Sequence, residues 1–229
     1  MKHTFVIGDI HGCHASLLAL LDKITPDPHR DRLIFLGDYI DRGPDSKKVI
    51  AEIIKLQGRF THIITLMGNH ERMLLDFLAG RDQDFFLHFG GRETLMSYGL
   101  EPPFPADIHK HIPADHITFF NELLLCWEDE NYIYVHAGLQ PGIHLSQQSS
   151  EWLLWARGRF IQSEYDFGKP VIFGHTDLKE PLIEKNKIGI DTGAVYGGRL
   201  SCLVLPDMEF ISVDGYNPDH QPSTINHQP

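Results

Sequence analysis

Five short apolar runs in this 229-residue chain end beside a glycine and are joined at once by side chains that bind ions. FVIG precedes Asp9 and His11, LIFLG precedes Asp38, Asp41 and Arg42, HIITLMG precedes Asn69, His70 and Glu71, YIYVHAG carries His136, and VIFG precedes His175 and Thr176. Runs this short, rich in β-branched residues, read as buried strands. The segments between the early runs carry a helical period instead. LLALLDKI at 17–24 is amphipathic. PDSKKVIAEIIKLQG offers Asp45 or Ser46 as N-cap, one apolar face of Val49, Ile50, Ile53 and Ile54, and Gly58 as a stop. Alternating strands and helices predict an α/β fold. In such sheets the carboxyl ends of the strands open on one crevice, so Asp9, His11, Asp38, Asn69, His136 and His175 are expected to meet there. Glycine beside each of them lets the backbone approach closely, because it has no Cβ to clash.

The rest of the chain is organised around that pattern. Residues 71–130 show no strand signal. ERMLLDFLAG, DFFLHFGGRETLMSYG and HITFFNELLLCWE read as a helical insertion, broken by EPPFPAD and placed to cap the crevice. After VIFGHT the period becomes two, and NKIGIDTGA, LSCLVLP and EFISVD predict three successive antiparallel strands. Residues 1–214 are expected to form one domain, with a polar, disordered tail from Gly215. A formal charge of −11 argues against a nucleic-acid or anionic-membrane surface. The chain opens on FVIG without a signal core, and it has no apolar stretch of membrane-spanning length. Its three scattered cysteines offer neither a disulfide framework nor a zinc knot. These features predict a cytoplasmic protein.

The gathered donors are oxygen and nitrogen without thiolate, which suits manganese, iron or zinc in a catalytic role. Six donors exceed what one catalytic ion needs, since it must keep open positions. Two divalent ions are therefore expected, with one carboxylate shared between them. Such a pair lowers the pKa of a bridging water enough to make a nucleophile near neutrality. Asn69 and His70 are adjacent, and adjacent side chains at a strand end diverge, so they are expected to serve different partners. Glu71 reads as a first-turn helix residue beside the positive end of the helix dipole.

GDIHG, GDYIDRG, GNHE, HAG and GHT, in this order, resemble the phosphoprotein phosphatase family of calcineurin-like metallophosphoesterases. The likeness spans roughly residues 5 to 214, and its first three motifs are the specific ones. It implies a sandwich of two mixed β-sheets flanked by helices, with a dinuclear centre at the strand ends. By that resemblance Asp9, His11 and Asp38 hold the first ion, and Asp38, Asn69, His136 and His175 the second. His70 would protonate the leaving oxygen, its pairing with Asp41 being the imidazole–carboxylate arrangement that keeps an imidazolium ready as a general acid, and Arg42 would fork onto phosphate oxygens. Trp155-Ala156-Arg157 resembles the family's late phosphate-binding arginine, with Arg159 as the competing choice. The aromatic residues of that segment read mainly as core, and Tyr196 in IDTGAVYGG resembles a loop bordering the pocket. The expected activity is hydrolysis of phosphoserine or phosphothreonine in proteins. A symmetrical dinucleoside tetraphosphatase is the alternative and a non-catalytic metal-binding scaffold the remote one; Asp41 and Glu71 favour the first.

Overall fold

The structure, a computed structural model, describes residues 2–105 and 107–217. In chain order it contains β1 (Thr4–Ile7), α1 (His14–Ile24), β2 (Arg32–Phe35), α2 (Ser46–Gln57), β3 (Ile63–Thr65), α3 (Asn69–Leu78), α4 (Gln83–Phe86), α5 (Arg92–Ser97) and α6 (Ala114–Glu122). There follow β4 (Cys126–Glu128), β5 (Ile133–Val135), α7 (Ser150–Trp155), α8 (Gly158–Ile161), β6 (Val171–Phe173), β7 (Leu182–Ile183), β8 (Lys187–Gly189), β9 (Arg199–Leu205) and β10 (Glu209–Asp214).

Two five-stranded mixed sheets result, ordered β10-β9-β1-β2-β3 and β4-β5-β6-β8-β7. The central strands feed two cores, because successive side chains leave a strand on opposite faces. Phe5 and Ile7 of β1, Leu33 and Phe35 of β2, and Leu200, Cys202 and Val204 of β9 pack outward with Leu17, Leu20, Val49, Ile50 and Ile53 of α1 and α2. The intervening Val6, Ile34 and Leu203 face the other way, meeting Tyr134, Ile172 and Ile188 of the second sheet. Ile133, Val135, Val171 and Phe173 then pack outward against Leu153 and Phe160 of α7 and α8. Burial on both faces is why these strands read as unbroken apolar runs.

Each sheet contains a parallel trio: β1, β2 and β3 in one, β5, β6 and β8 in the other. Three expectations are corrected here. Residues 71–130 do contain a strand, since Cys126–Glu128 pairs antiparallel with β5, its apolar run having been read as part of the preceding helix. The period-two segments are not one antiparallel set. β9 and β10 form a hairpin beside β1, whereas β8 lies parallel to β6 in the second sheet and pairs antiparallel with the unforeseen β7. Alternation reports a half-buried strand and cannot report its partner. The tail does not begin at Gly215, because the N–H groups of Gly215 and Tyr216 donate to Gly198 and Ala194 carbonyls. Residues 218–229 lie outside the described residues. Among the described residues no helix is long and apolar enough to cross a membrane.

Candidate metal centre

All six parallel strands deliver polar side chains from the residues just past their carboxyl ends. β1 is followed by Asp9 and His11, β2 by Asp38, Asp41 and Arg42, and β3 by Asn69 and His70; β5 is followed by His136, β6 by His175 and β8 by Asp191. The first two loops are tied together, as the N–H groups of Ile10 and His11 both donate to the Asp38 carbonyl and that of Gly12 to Tyr39. Asp9, His11, Asp38, Asp41, Asn69, His70, His136, His175 and Asp191 are all buried. Among the described residues eight non-glycine residues have positive φ, and five of them are His11, Asp38, Asp41, Arg42 and His175. Backbone held in that sparsely populated region is the kind of strain that collects at functional sites.

Asp38 lies between two clusters. Its Oδ2 is 3.3 Å from His11 Nε2 and 3.9 Å from His70 Nε2, and its Oδ1 is 3.4 Å from His136 Nε2. His11, Asp38 and His70 form one group whose donor atoms lie within 4.8 Å of one another, and Asp38, His136 and His175 form a second. One carboxylate with an oxygen towards each group is the arrangement a shared ligand requires.

The imidazoles are turned for cations. Nδ1 of His11 is 2.8 Å from the Ile40 carbonyl and Nδ1 of His136 is 2.9 Å from that of Leu36. A carbonyl can only accept, so Nδ1 carries the hydrogen in both rings and Nε2 keeps its lone pair. That lone pair of His136 sits 3.0 Å from Asn69 Oδ1, another acceptor. Two buried acceptors in contact are repulsive unless a cation lies against both. Burial pushes His136 below its usual range and His175 down to about 2, so both stay neutral, the state a metal needs. Asp9 Oδ1 is buried with no hydrogen-bond partner, while its Oδ2 accepts the His175 N–H at 2.9 Å. Burial, then the charges of Asp191 and Asp38, hold Asp9 well above the usual carboxylate range. A divalent cation would relieve that repulsion and satisfy the orphaned oxygen. The glycines make room for these carboxylates, since a Cβ on Gly68 would overlap Asp38 Oδ1 and one on Gly174 would overlap Asp9 Oδ1.

Asn69 and His70 stand in the first turn of α3, not at a strand end, and diverge because successive helical residues point about 100° apart. Asn69 turns to His136. His70 Nδ1 lies 2.6 Å from Asp41 Oδ2. Burial, the largest influence on each, pushes His70 well below its usual range and Asp41 well above. The dehydrated pair therefore favours one shared proton with no net charge. Both arginines reach the centre. Arg42 Nη1 is 2.6 Å from His11 Nε2 and Arg157 Nε donates to His175 Nε2 at 3.1 Å. Arg159 is exposed on α8 with no such contact described. Tyr196 is exposed, and the Arg42 guanidinium lies 5.5 Å from its ring.

Four features escaped the sequence reading. Glu71 is more than a first-turn residue. It accepts N–H bonds from Gly68 and Asp38 on Oε2 and from Tyr39 and Ile40 on Oε1, at 2.8–3.3 Å, bracing the loop that presents Asp38. Burial and then the charge of Asp38 push this carboxyl up to about 8, while the Tyr39 and Gly68 N–H donors pull the other way. Thr94 on α5, fully buried, donates to Asp41 Oδ1 at 2.6 Å and accepts the Asp41 N–H at 2.8 Å. Asp191 raises Asp9, and its own signal was IDTG after a strand read in the wrong sheet. Trp155, read as core, is 38% exposed with its ring 6.3 Å from that of His175.

Comparison with known proteins identifies the family. The calcineurin-like phosphoesterase family model matches residues 2–179. A Salmonella typhimurium protein named serine/threonine-protein phosphatase 1 is 31% identical over 215 residues, 87% of this chain and 90% of its own length. A Bacillus thuringiensis protein named asymmetrical bis(5'-nucleosyl)-tetraphosphatase PrpE is 28% identical over 238 residues, covering 91% and 92%. A solved structure provisionally described as a diadenosine tetraphosphatase superposes with a TM-score of 0.75 at 26% identity, covering 94% of this chain and 95% of that one. With a matched family model, a shared two-sheet fold and a clustered set of oxygen and nitrogen donors, the chain belongs to the calcineurin-like phosphoesterases, of the phosphoprotein phosphatase type.

Proposed function

We propose that the chain is a serine/threonine phosphoprotein phosphatase working with two divalent ions, manganese first, with iron or zinc able to replace it. The observation that carries the phosphoesterase reading is the pair of guanidiniums. Arg42 reaches the His11 side of Asp38 and Arg157 the His175 side, so two cations stand ready to engage a phosphoryl group at the centre. Asp9, His11 and Asp38 would hold one ion, and Asp38, Asn69, His136 and His175 the other. Bound there, the ions would supply an activated water and positive charge opposite the phosphoryl oxygens.

The chain's own residues supply the remainder. Arg42 and Arg157 exchange their contacts with imidazole for the phosphoryl oxygens and orient the ester for in-line displacement. His70 faces the centre through Nε2, and Nδ1 is fixed by Asp41, itself held by Thr94. A dianionic ester beside this neutral pair draws the shared proton from Asp41 onto Nδ1, which leaves His70 an imidazolium and Asp41 a carboxylate. Nε2 then gives its own hydrogen to the departing serine or threonine oxygen, and the neutral ring keeps its Nδ1–H donated to Asp41.

The Salmonella relative's name supports this reading. A second reading, hydrolysis of dinucleoside tetraphosphates, is favoured by the Bacillus relatives and the solved neighbour. Those relatives are named asymmetrical, unlike the symmetrical enzyme anticipated from sequence. The manganese-loaded protein, offered a phosphoserine peptide and diadenosine tetraphosphate in parallel, is expected to release phosphate from the peptide faster. An untouched peptide with rapid nucleotide release would overturn the first reading. ATP with AMP would then mark asymmetrical cleavage, and ADP alone symmetrical cleavage.

A further inference from the structure

We infer that Trp155, Phe85 and Phe89 form a subsite for an aromatic side chain of the phosphopeptide, a few residues from its phosphoserine or phosphothreonine. The inference rests on the reading of the centre as a phosphatase. The three rings form a continuous arc that begins at the metal centre. The Trp155 ring lies 6.3 Å from that of His175, the Phe85 ring 6.1 Å from Trp155, and the Phe89 ring 4.5 Å from Phe85. The arc closes on the other side of the site. Phe89 is followed by Gly90, whose carbonyl accepts the Arg42 N–H at 3.1 Å, and a Cβ on Gly90 would overlap the Arg42 backbone. One wall of rings therefore runs from the Arg157 side of the centre to the Arg42 side.

These rings are not core. Phe85, Phe89 and Trp155 are 43%, 40% and 38% exposed, while their neighbours Phe86 and Leu154 are buried. Three large apolar side chains exposed together at the rim of a catalytic centre mark a binding surface rather than packing. Behind Phe85 and Trp155 lies a cavity of about 300 Å³ floored by Met73 and Leu154. Phe85 and Trp155 meet at 53°, so a guest ring lies on the face of one and meets the edge of the other, the preferred geometry for aromatic pairs.

Charge selects the peptide over a nucleotide. Asp82 and Glu151 line the same cavity and Asp84 is exposed beside it. The guanidinium there, that of Arg72, is engaged by Asp76. A chain of four phosphates laid along this wall would pass these carboxylates, whereas an uncharged peptide backbone would not be repelled. Two ring-to-ring steps from His175 are spanned by about four extended residues, each covering about 3.3–3.6 Å.

The test uses phosphoserine peptides that differ only in phenylalanine or alanine at each of four positions on either side of the phosphoserine. With manganese-loaded wild type, one position is expected to give KM about fivefold lower for phenylalanine. Phe85→Ala should bring the ratio to about one, and Phe85→Tyr should keep it. A wild-type ratio near one at every position, or a preference that survives Phe85→Ala, overturns the subsite. So does a Phe85→Ala effect confined to diadenosine tetraphosphate, which would assign the rings to a nucleobase. The same peptides with a non-hydrolysable phosphonate, titrated calorimetrically into the manganese-loaded protein, separate the two ideas. A ring preference in binding without turnover of any phosphopeptide keeps the subsite and removes the phosphatase reading; no ring preference in binding removes the subsite whatever the turnover.

Discussion

The floor of this centre and its wall are built on different principles. The floor consists of loops after six parallel strands, where short backbone segments hydrogen-bond to one another and every donor is buried. The wall comes from α4, α5, the turn at Leu87–Gly91 and the end of α7, and presents exposed rings and one buried hydroxyl. Chemistry dictates the floor, because only carboxylate, imidazole and amide donors at fixed separations can hold two cations. The wall has only to touch a substrate or hold a floor residue in place, and many side chains can do that. Substitutions in the floor should therefore abolish turnover for every ester, whereas those in the wall should grade it.

The sharpest contrast is expected at Asp38. Asp38→Ala removes the one carboxylate that faces both donor groups. Loss of at least one ion and a fall in kcat of about 10³-fold or more should follow, for p-nitrophenyl phosphate and phosphopeptide alike. Elemental analysis with a steady-state assay checks it. Two retained ions with activity within tenfold of wild type would remove Asp38 from its bridging place.

His70 comes next, and it decides where the floor ends. Its Nε2 lies near enough to His11 and Asp38 to join an ion, yet its Nδ1 is committed to Asp41. As an acid it should be separable from metal binding. His70→Asn is expected to keep both ions and lower kcat about 10²-fold. Its deficit should shrink for p-nitrophenyl phosphate, whose leaving group needs little protonation. Loss of an ion would count His70 as a ligand instead.

The same division explains what could be read in the sequence. GDIHG, GDYIDRG and GNHE spell out residue types that the centre's chemistry requires, so their meeting was legible from strand-end position alone. Thr94 was not legible. A lone threonine in a helical pattern has many ordinary reasons to be there, and only the packing of α5 against the Asp41 loop gives it a role. Glu71 was half legible: its bond to the Gly68 N–H is the local helix-start contact, but its bonds to Asp38, Tyr39 and Ile40 span more than thirty residues. Asp191 was missed because β8 pairs with β6 rather than with β9, a long-range choice that a period of two does not encode. Trp155 ends α7 after the buried pair Leu153 and Leu154, and its sequence neighbours give no sign that the helix stops with this ring at the rim.

Thr94 tests the boundary from the wall side. Thr94→Val keeps the shape and removes the hydroxyl that both donates to the Asp41 carboxylate and accepts its N–H. The variant should lose about 1–3 kcal/mol of stability, since the buried Asp41 Oδ1 loses its donor, while the Asp41 N–H keeps Ser46 Oγ at 3.1 Å. It should also lower kcat about tenfold while keeping both ions, with Thr94→Ser recovering most of the rate. Thermal denaturation beside the kinetic assay reads both. A stability loss with no change in kcat would make Thr94 part of the scaffold alone.

The smallest expected effect is at Tyr196, whose ring meets the Arg42 guanidinium and none of the three wall rings. The guanidinium lies 5.5 Å from its ring, and the ring is largely exposed, so the attraction is that of a solvated cation–π pair. Such pairs contribute about 0.5–1 kcal/mol, or about two- to fivefold in an equilibrium. Tyr196→Leu leaves the metal donors and His70 untouched and frees the Arg42 side chain to sample other rotamers. The cost falls on orienting the phosphoryl group before chemistry. KM should therefore rise two- to fivefold with kcat within twofold, and the rise should be the same for peptides with and without an aromatic neighbour, because Tyr196 steers Arg42 and not the ring arc. A KM rise confined to the aromatic peptides would move Tyr196 into the subsite, and an unchanged KM would leave Arg42 held by Gly90 and His11 alone.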